Sequence, residues 1–231
     1  MSTPLVEDAL DGAVATLTLD DGKVNALSPQ MLAAVHGALD RVEADGAAAV
    51  VLTGREGILS AGFDLRVLRA GGPGAIDMVR GGFELSERLL TFPRPVLIAC
   101  PGHAIAMSAF HPPSVEERIG PDGDFTITAN EVAIGLTMPL AAIAVCRHRL
   151  APSQFDRAVV TAATYTPREA VGAGFLDRAV APDAFDDAVR EAADRLAALD
   201  PTAHAETKLR TRSRLLAELR EGIAAELTPR R

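Results

Sequence analysis

Two short stretches of small residues carry backbone that could do chemistry. The first reads Ser60-Ala61-Gly62-Phe63-Asp64-Leu65, and the second Ala99-Cys100-Pro101-Gly102-His103-Ala104-Ile105-Ala106-Met107-Ser108. Each follows an apolar run that reads as a strand, Ala47 to Thr53 before the first and Pro95 to Cys100 before the second. Each is expected to lead into a helix. Strand-to-helix turns built of small residues leave N–H groups free, and two such donors converging on one point stabilise a developing oxyanion. A lone Ala-Gly turn is only a tight loop. Two of them point to function.

A third element is Thr128-Ala129-Asn130-Glu131-Val132-Ala133-Ile134-Gly135-Leu136. A single carboxylate among apolar residues is unusual, since Glu is rarely buried unpaired. Two readings stand. Either Glu131 is an acid/base group in an apolar wall of Val132, Ile134 and Leu136, its pKa raised by desolvation, or it is a surface residue capping the next turn. The histidines are less pointed. His103, at the second turn, reads as a packing residue or a substrate contact, and His111 beside Pro112-Pro113 is an alternative acid/base. His36, His148 and His204 have no metal-ligand spacing and read as structural or solvated. No Gly-x-Ser-x-Gly elbow, P-loop or Gly-x-Gly-x-x-Gly fingerprint occurs.

Taken together, these motifs resemble the crotonase (enoyl-CoA hydratase/isomerase) superfamily, whose turns read Ser/Ala-Ala-Gly-x-Asp-Leu and Gly-x-Ala-x-Gly-Gly-Gly. The resemblance covers nearly the whole chain in element order, with its most specific motifs between Lys23 and Leu136. It implies an α/β crotonase-like spiral of ββα units with a helical C-terminal trimerisation region, assembled as a trimer or dimer of trimers. It makes the N–H groups of Phe63 and Met107 the oxyanion donors and Glu131 the catalytic base. It also implies a substrate-binding set of Val24, Ala26, Ala61, Asp64, Leu65 and Arg66. The partner is an acyl-CoA thioester, with coenzyme A part of the substrate, no separate cofactor and no metal. The Asn130-Glu131 dipeptide looks most like the Δ3,Δ2-enoyl-CoA isomerases.

Two departures shape the reading. Hydratases of this family place a second glutamate where this chain has Phe110. Hydration needs one group to deprotonate water and another to protonate carbon, and losing a positioned acid/base costs about 10²–10⁴ in rate. Moving a double bond needs one base. The second departure is Phe110-His111-Pro112-Pro113 where the family continues a helix. Proline inside a helix costs about 3 kcal/mol or more, so this helix is expected to shrink to a turn. An isomerase is therefore expected, with two alternatives: a hydratase, or a catalytically impaired acyl-CoA-binding member.

The elements that would position these residues read as follows. Ala13 to Leu19 alternates as a strand and ends at Asp20-Asp21-Gly22. Ser28-Pro29 starts a helix with Leu32, Val35, Leu39 and Val42 on its inner face. Gly71 to Gly74 is a flexible break before a helix running to about Leu90, with Phe83, Leu85 and Leu89 as core contacts. Strands around Glu117–Gly120 and Phe125–Thr128 are joined hairpin-fashion by Gly120 to Gly123. Thr166-Pro167-Arg168-Glu169 is a capping box. Phe175 to Ala181 is a short extended return, and Asp183–Leu199 and Pro201–Leu227 are helices. The last carries a leucine stripe, suited to its own domain or a neighbouring subunit. The expected division is a ββα core over 1–182 and a helical region over 183–231.

Composition bounds the rest. With 48% hydrophobic and 23% charged residues, a soluble globular protein is expected. The net charge of −8 argues against nucleic acid as a partner. No apolar run reaches the roughly 18 residues of a membrane span, and Met1 to Asp8 lacks the pattern of a secretory signal. Cys100 and Cys146 sit in apolar contexts and read as buried thiols in a reducing compartment. The expected location is cytoplasmic.

Overall fold

A computed structural model describes residues 4–109 and 114–227. Strand β1 (Val6–Asp11) pairs antiparallel with β2 (Val14–Leu19) across Gly12, whose φ of 58° makes the turn. In β2 the side chains of Ala15, Leu17 and Leu19 are buried while their neighbours are not, as the alternation predicts. β1 is absent from the sequence reading, because only its Val6 is buried and Glu7, Asp8 and Asp11 hide any apolar pattern. Helix α1 (Pro29–Asp45) starts where expected: Ser28 Oγ accepts from the Met31 N–H at 3.1 Å, and Leu32, Val35, Leu39 and Val42 are buried.

The chain then winds as a spiral. β3 (Ala49–Gly54) is followed at once by the short β4 (Gly57–Ser60), then α2 (Leu65–Ala70) and α3 (Gly72–Thr91). β5 (Val96–Ala99) leads to β6 (Gly102–Ile105) and a 3-10 turn over Ala106–Ala109; β7 (Glu117–Pro121) leads to β8 (Ile127–Thr128). The first strand of each pair joins a six-stranded sheet of order β1-β2-β3-β5-β7-β9, where β9 is Arg178–Val180, and all its pairings but β1–β2 are parallel. The second strand of each pair joins a separate parallel sheet, β4-β6-β8. This is the parallel ββα spiral expected of a crotonase-like fold.

Three local expectations are corrected. The Gly120–Gly123 segment does not close a hairpin, since β7 and β8 lie in different sheets. The glycine-rich break is a single residue: α3 begins at Gly72, with Pro73 in its first turn, where a missing N–H costs nothing. The second small-residue stretch holds a strand, β6, before its turn; four residues with glycine at one end are too few for a visible alternation. The expected shortening of the next helix falls on Phe110, His111, Pro112 and Pro113, which lie outside the described residues.

Helices dominate after Pro139: α4 (Leu140–Arg149), α5 (Pro152–Val159), α6 (Pro167–Ala173), α7 (Phe185–Ala197) and α8 (Pro201–Glu226). The capping box before α6 is present in both directions. The leucine stripe of α8 packs against its own chain. Leu215, Leu216 and Leu219 are buried over α3 and α4, and Leu209 stays exposed. At Gly222 the α8–α4 approach is so close that a Cβ would fall 2.7 Å from the Ala141 nitrogen. Among the described residues no helix is long and apolar enough to cross a membrane.

Candidate functional site

The first turn is braced from outside by residues 20–27. Buried Asn25, in the left-handed region at φ 52°, donates from Nδ2 to the carbonyls of Leu19 and Leu59 at 2.8 and 3.1 Å. The Ala61 N–H donates to Val24 O at 2.9 Å, and the Leu27 N–H donates to Gly62 O at 2.8 Å. Leu27 O in turn accepts from the Asp64 N–H at 3.4 Å. This parallel bridge engages the neighbours of Phe63, so the N–H of Phe63 faces the opposite side. Asp64 then caps α2, its Oδ1 accepting from the Arg66 N–H at 2.8 Å.

That opposite side is where the second turn lies. Gly62 has φ 83°, and a Cβ there would fall 2.8 Å from both Ile105 O and Ala106 Cβ, and 3.3 Å from the Met107 nitrogen. Only glycine allows the two turns this close. Ala106, standing where the family pattern has the first of its three consecutive glycines, holds a left-handed φ of 54°, a conformation that costs an L-residue about 1–2 kcal/mol. Met107 follows it in the first turn of a 3-10 helix, where N–H groups have no helical partner. The structure thus brings the residues of both expected amide donors together.

Beside them is a cavity of about 280 Å³ lined by both turns, by α2 and α3, and by the segment following β8. Ala61, Phe63, Leu65 and Ala106 line it together with Asn130 and Glu131. Glu131 is 7% exposed, and its Oε2 has no hydrogen-bond partner among the described residues. Burial without a partner pushes its carboxyl up to about 7, only partly opposed by a backbone hydrogen bond. The capping alternative is not what forms: the Glu131 side chain makes no cap bond to the 3-10 turn over Val132–Ile134, and its backbone oxygen accepts from the N–H of Ile134 and Leu136 instead.

The apolar wall differs from the expected one. Val132, Ile134 and Leu136 are 42–49% exposed; Ile134 and Leu136 line the cavity and Val132 does not. Glu131 is buried on its other side, near α4, where its charge adds to burial in raising the Cys146 thiol. Cys100 is also buried, its thiol pushed to about 12.

Of the other expected site residues, Val24, Ala26, Asp64 and Arg66 do not line this cavity, and Met107 does not either, its neighbour Ala106 lining it instead. Arg66 is exposed and paired with Asp64 at 2.8 Å. His103 is a packing residue: its Nδ1 accepts from the Thr126 N–H at 3.0 Å and its ring meets Phe125 edge-on. His36 is tied to Arg88, and His204 lies 4.0 Å from Glu116. Among the described residues no cluster of three His, Cys, Asp or Glu side chains could hold a metal. Sequence reading overlooked Asn25 and gave Asn130 no role beyond its place in the Asn130-Glu131 dipeptide; its Oδ1 is buried with no hydrogen-bond partner among the described residues. The dense Asp20-Asp21-Gly22 turn was the available signal for Asn25.

Comparison with known proteins agrees with this geometry. The family model described as enoyl-CoA hydratase/isomerase matches residues 10–229. A Thermus thermophilus protein with a provisional enoyl-CoA hydratase name is 32% identical over 203 residues, covering 85% of this chain and 79% of the relative. The solved structure of an enoyl-CoA hydratase from Mycobacterium marinum is 44% identical, with TM-score 0.92 over 97% of this chain and all of that one. A Mycobacterium tuberculosis protein is 43% identical, with TM-score 0.92 over 96% of this chain, and its solved structures are described once as an enoyl-CoA isomerase and once as a probable enoyl-CoA hydratase. One relative carrying both descriptions leaves the reaction to the site itself. With its ββα spiral, its paired turns and its cavity carboxylate, this chain belongs to the enoyl-CoA hydratase/isomerase (crotonase) family.

Proposed function

We propose that this protein isomerises the double bond of enoyl-CoA thioesters, with Glu131 as its one base. The observation that carries the reading is Glu131 itself. It is the single ionisable side chain among the described residues lining the cavity, and it is desolvated to a pKa of about 7. A carboxylate at its ordinary value is a poor base for a thioester α-proton, and desolvation corrects this.

In this reading Glu131 removes a proton from C2 of a 3-enoyl thioester; the C–H electron pair forms the C1–C2 double bond of the enolate as the carbonyl π pair moves onto the thioester oxygen. The N–H groups of Phe63 and Met107 hold that oxygen, each donor lowering the barrier by roughly 2.7–4 kcal/mol. Collapse of the enolate forms the C2–C3 double bond, and the C3–C4 π pair takes the same proton back from Glu131 at C4. No water is consumed, so no second acid/base is needed. The residue at position 110 is phenylalanine, which can neither donate nor accept a proton.

Resemblance supplies the rest of the proposal: Val24, Ala26, Ala61, Asp64, Leu65 and Arg66 as the substrate-binding set, no separate cofactor, and a trimer or dimer of trimers. A compact monomer at micromolar concentration in sedimentation would overturn the assembly. The reaction is tested by assaying the purified protein on 3-enoyl-CoA and 2-enoyl-CoA. Conversion of the first to 2-enoyl-CoA without hydration supports the reading. Hydration of the second makes the protein a hydratase, and binding without turnover makes it an impaired family member.

A further inference from the structure

Helix α3 carries adjacent glycines, Gly81 and Gly82, at its middle, where glycine weakens a helix relative to alanine. The two differ sharply in surroundings. A Cβ on Gly81 would make one ordinary contact, with Leu32 Cδ1 at 3.4 Å. A Cβ on Gly82 would lie 2.5 Å from Phe63 Cζ and 2.6 Å from Phe63 Cε1, with Met107 Cγ at 3.4 Å. Side chains of both amide-donating residues therefore end at one buried point on the α3 backbone, and the Phe63 ring occupies the space a side chain would take.

The Phe63 backbone is fixed by the bonds of Leu27 to Gly62 and Asp64, so the residue cannot retreat as a unit. The ring borders the cavity that also holds Glu131 and is lined by Leu68, Val79 and Phe83. Displaced from α3, it turns into that cavity. We infer that Gly82 is a specificity-determining residue: by seating the Phe63 ring against α3 it keeps the apolar end of the cavity open to the longer part of an acyl chain.

This rests on the acyl-CoA reading, so the test separates the two. Binding of hexanoyl-CoA and dodecanoyl-CoA is measured by calorimetry for the full-length protein and for Gly82→Ala. The expected result is that Gly82→Ala weakens dodecanoyl-CoA about tenfold or more and leaves hexanoyl-CoA within about twofold. Adding Phe63→Leu, which lacks the Cε1 and Cζ atoms, is expected to return dodecanoyl-CoA affinity to that of Phe63→Leu alone. Equal weakening of both ligands, or no change in either, overturns the inference while leaving the acyl-CoA reading intact. If the unaltered protein binds neither, the reading fails and takes the inference with it. Where Gly82→Ala fails to fold, the double variant decides: folding with the affinities of Phe63→Leu supports the seat, and failure to fold overturns it.

Discussion

The nitrogen of Met107 lies 3.3 Å from the point where a side chain on Gly62 would begin. Two turns from successive windings of the spiral thus meet through the one residue type that permits it. Gly62→Ala would add a Cβ 2.8 Å from Ile105 O and force alanine to φ 83°. The expected result is a stability loss of about 2 kcal/mol or more and a fall in kcat of about 10²-fold or more. Gly12→Ala is the control, because Gly12 also has positive φ, 58°, with nothing within 4 Å. It should lose only the backbone strain, about 1–2 kcal/mol, and keep full turnover. Denaturant unfolding and turnover of both variants check this pair.

Protonation of Glu131 sets a pH dependence. With its pKa at about 7, the carboxylate form that can accept a proton grows as pH rises through that value. The kcat/KM profile should therefore climb through about pH 7 and level off above it. A profile already flat from pH 5 would place the base on a group with an ordinary carboxylate pKa.

Away from the cavity, Arg118 on β7 is buried to 1% exposure and spends its donors on Asp177, by Nε at 2.8 Å and by NH2 at 2.5 Å, and on Gly174 O at 2.9 Å. Burial raises the Asp177 carboxyl, but the bonds and charge of Arg118 outweigh it and hold the pKa below the ordinary value. Removing Asp177 would strand a buried guanidinium. Asp177→Ala should cost about 3–5 kcal/mol, and Arg118→Leu with Asp177→Leu much less. Because the folded pKa is lowered, the Asp177 contribution is present above its unfolded value and fades as pH falls through the folded one. Urea titrations at neutral and acidic pH check both statements.

Much of this was legible in the residues. Ser28-Pro29 and Thr166–Glu169 specify helix starts through local bonds, so α1 and α6 were readable from a few positions. Gly62 and Glu131 were readable because their types conflict with their surroundings. β1 pairs locally with β2 and escaped because its charged residues hide an apolar pattern. The rest of what escaped depends on contacts distant in sequence: β7 and β8 look like a hairpin until β5 and β6 draw them into separate sheets. The α8 stripe shows an apolar face but not its partner, and α3 with α4 of the same chain cover it. The seat of the Phe63 ring on Gly82 likewise joins residues that no local pattern links.

The account turns on Glu131, and Glu131→Gln tests it most directly, because glutamine keeps the shape and removes the proton acceptor. Burial pushes the carboxyl up to about 7 in the folded chain, above its ordinary value when unfolded, so the stability present at low pH is lost as pH rises through the folded value. The variant should thus be more stable than the original at pH 8, by about 3 kcal/mol at most. Turnover of 3-enoyl-CoA by Glu131→Gln, measured beside its acyl-CoA affinity, is the deciding measurement. The prediction is a kcat at least about 10²-fold lower with affinity nearly unchanged. Near-normal turnover would contradict the account and put the base elsewhere, with His111 the next residue to replace.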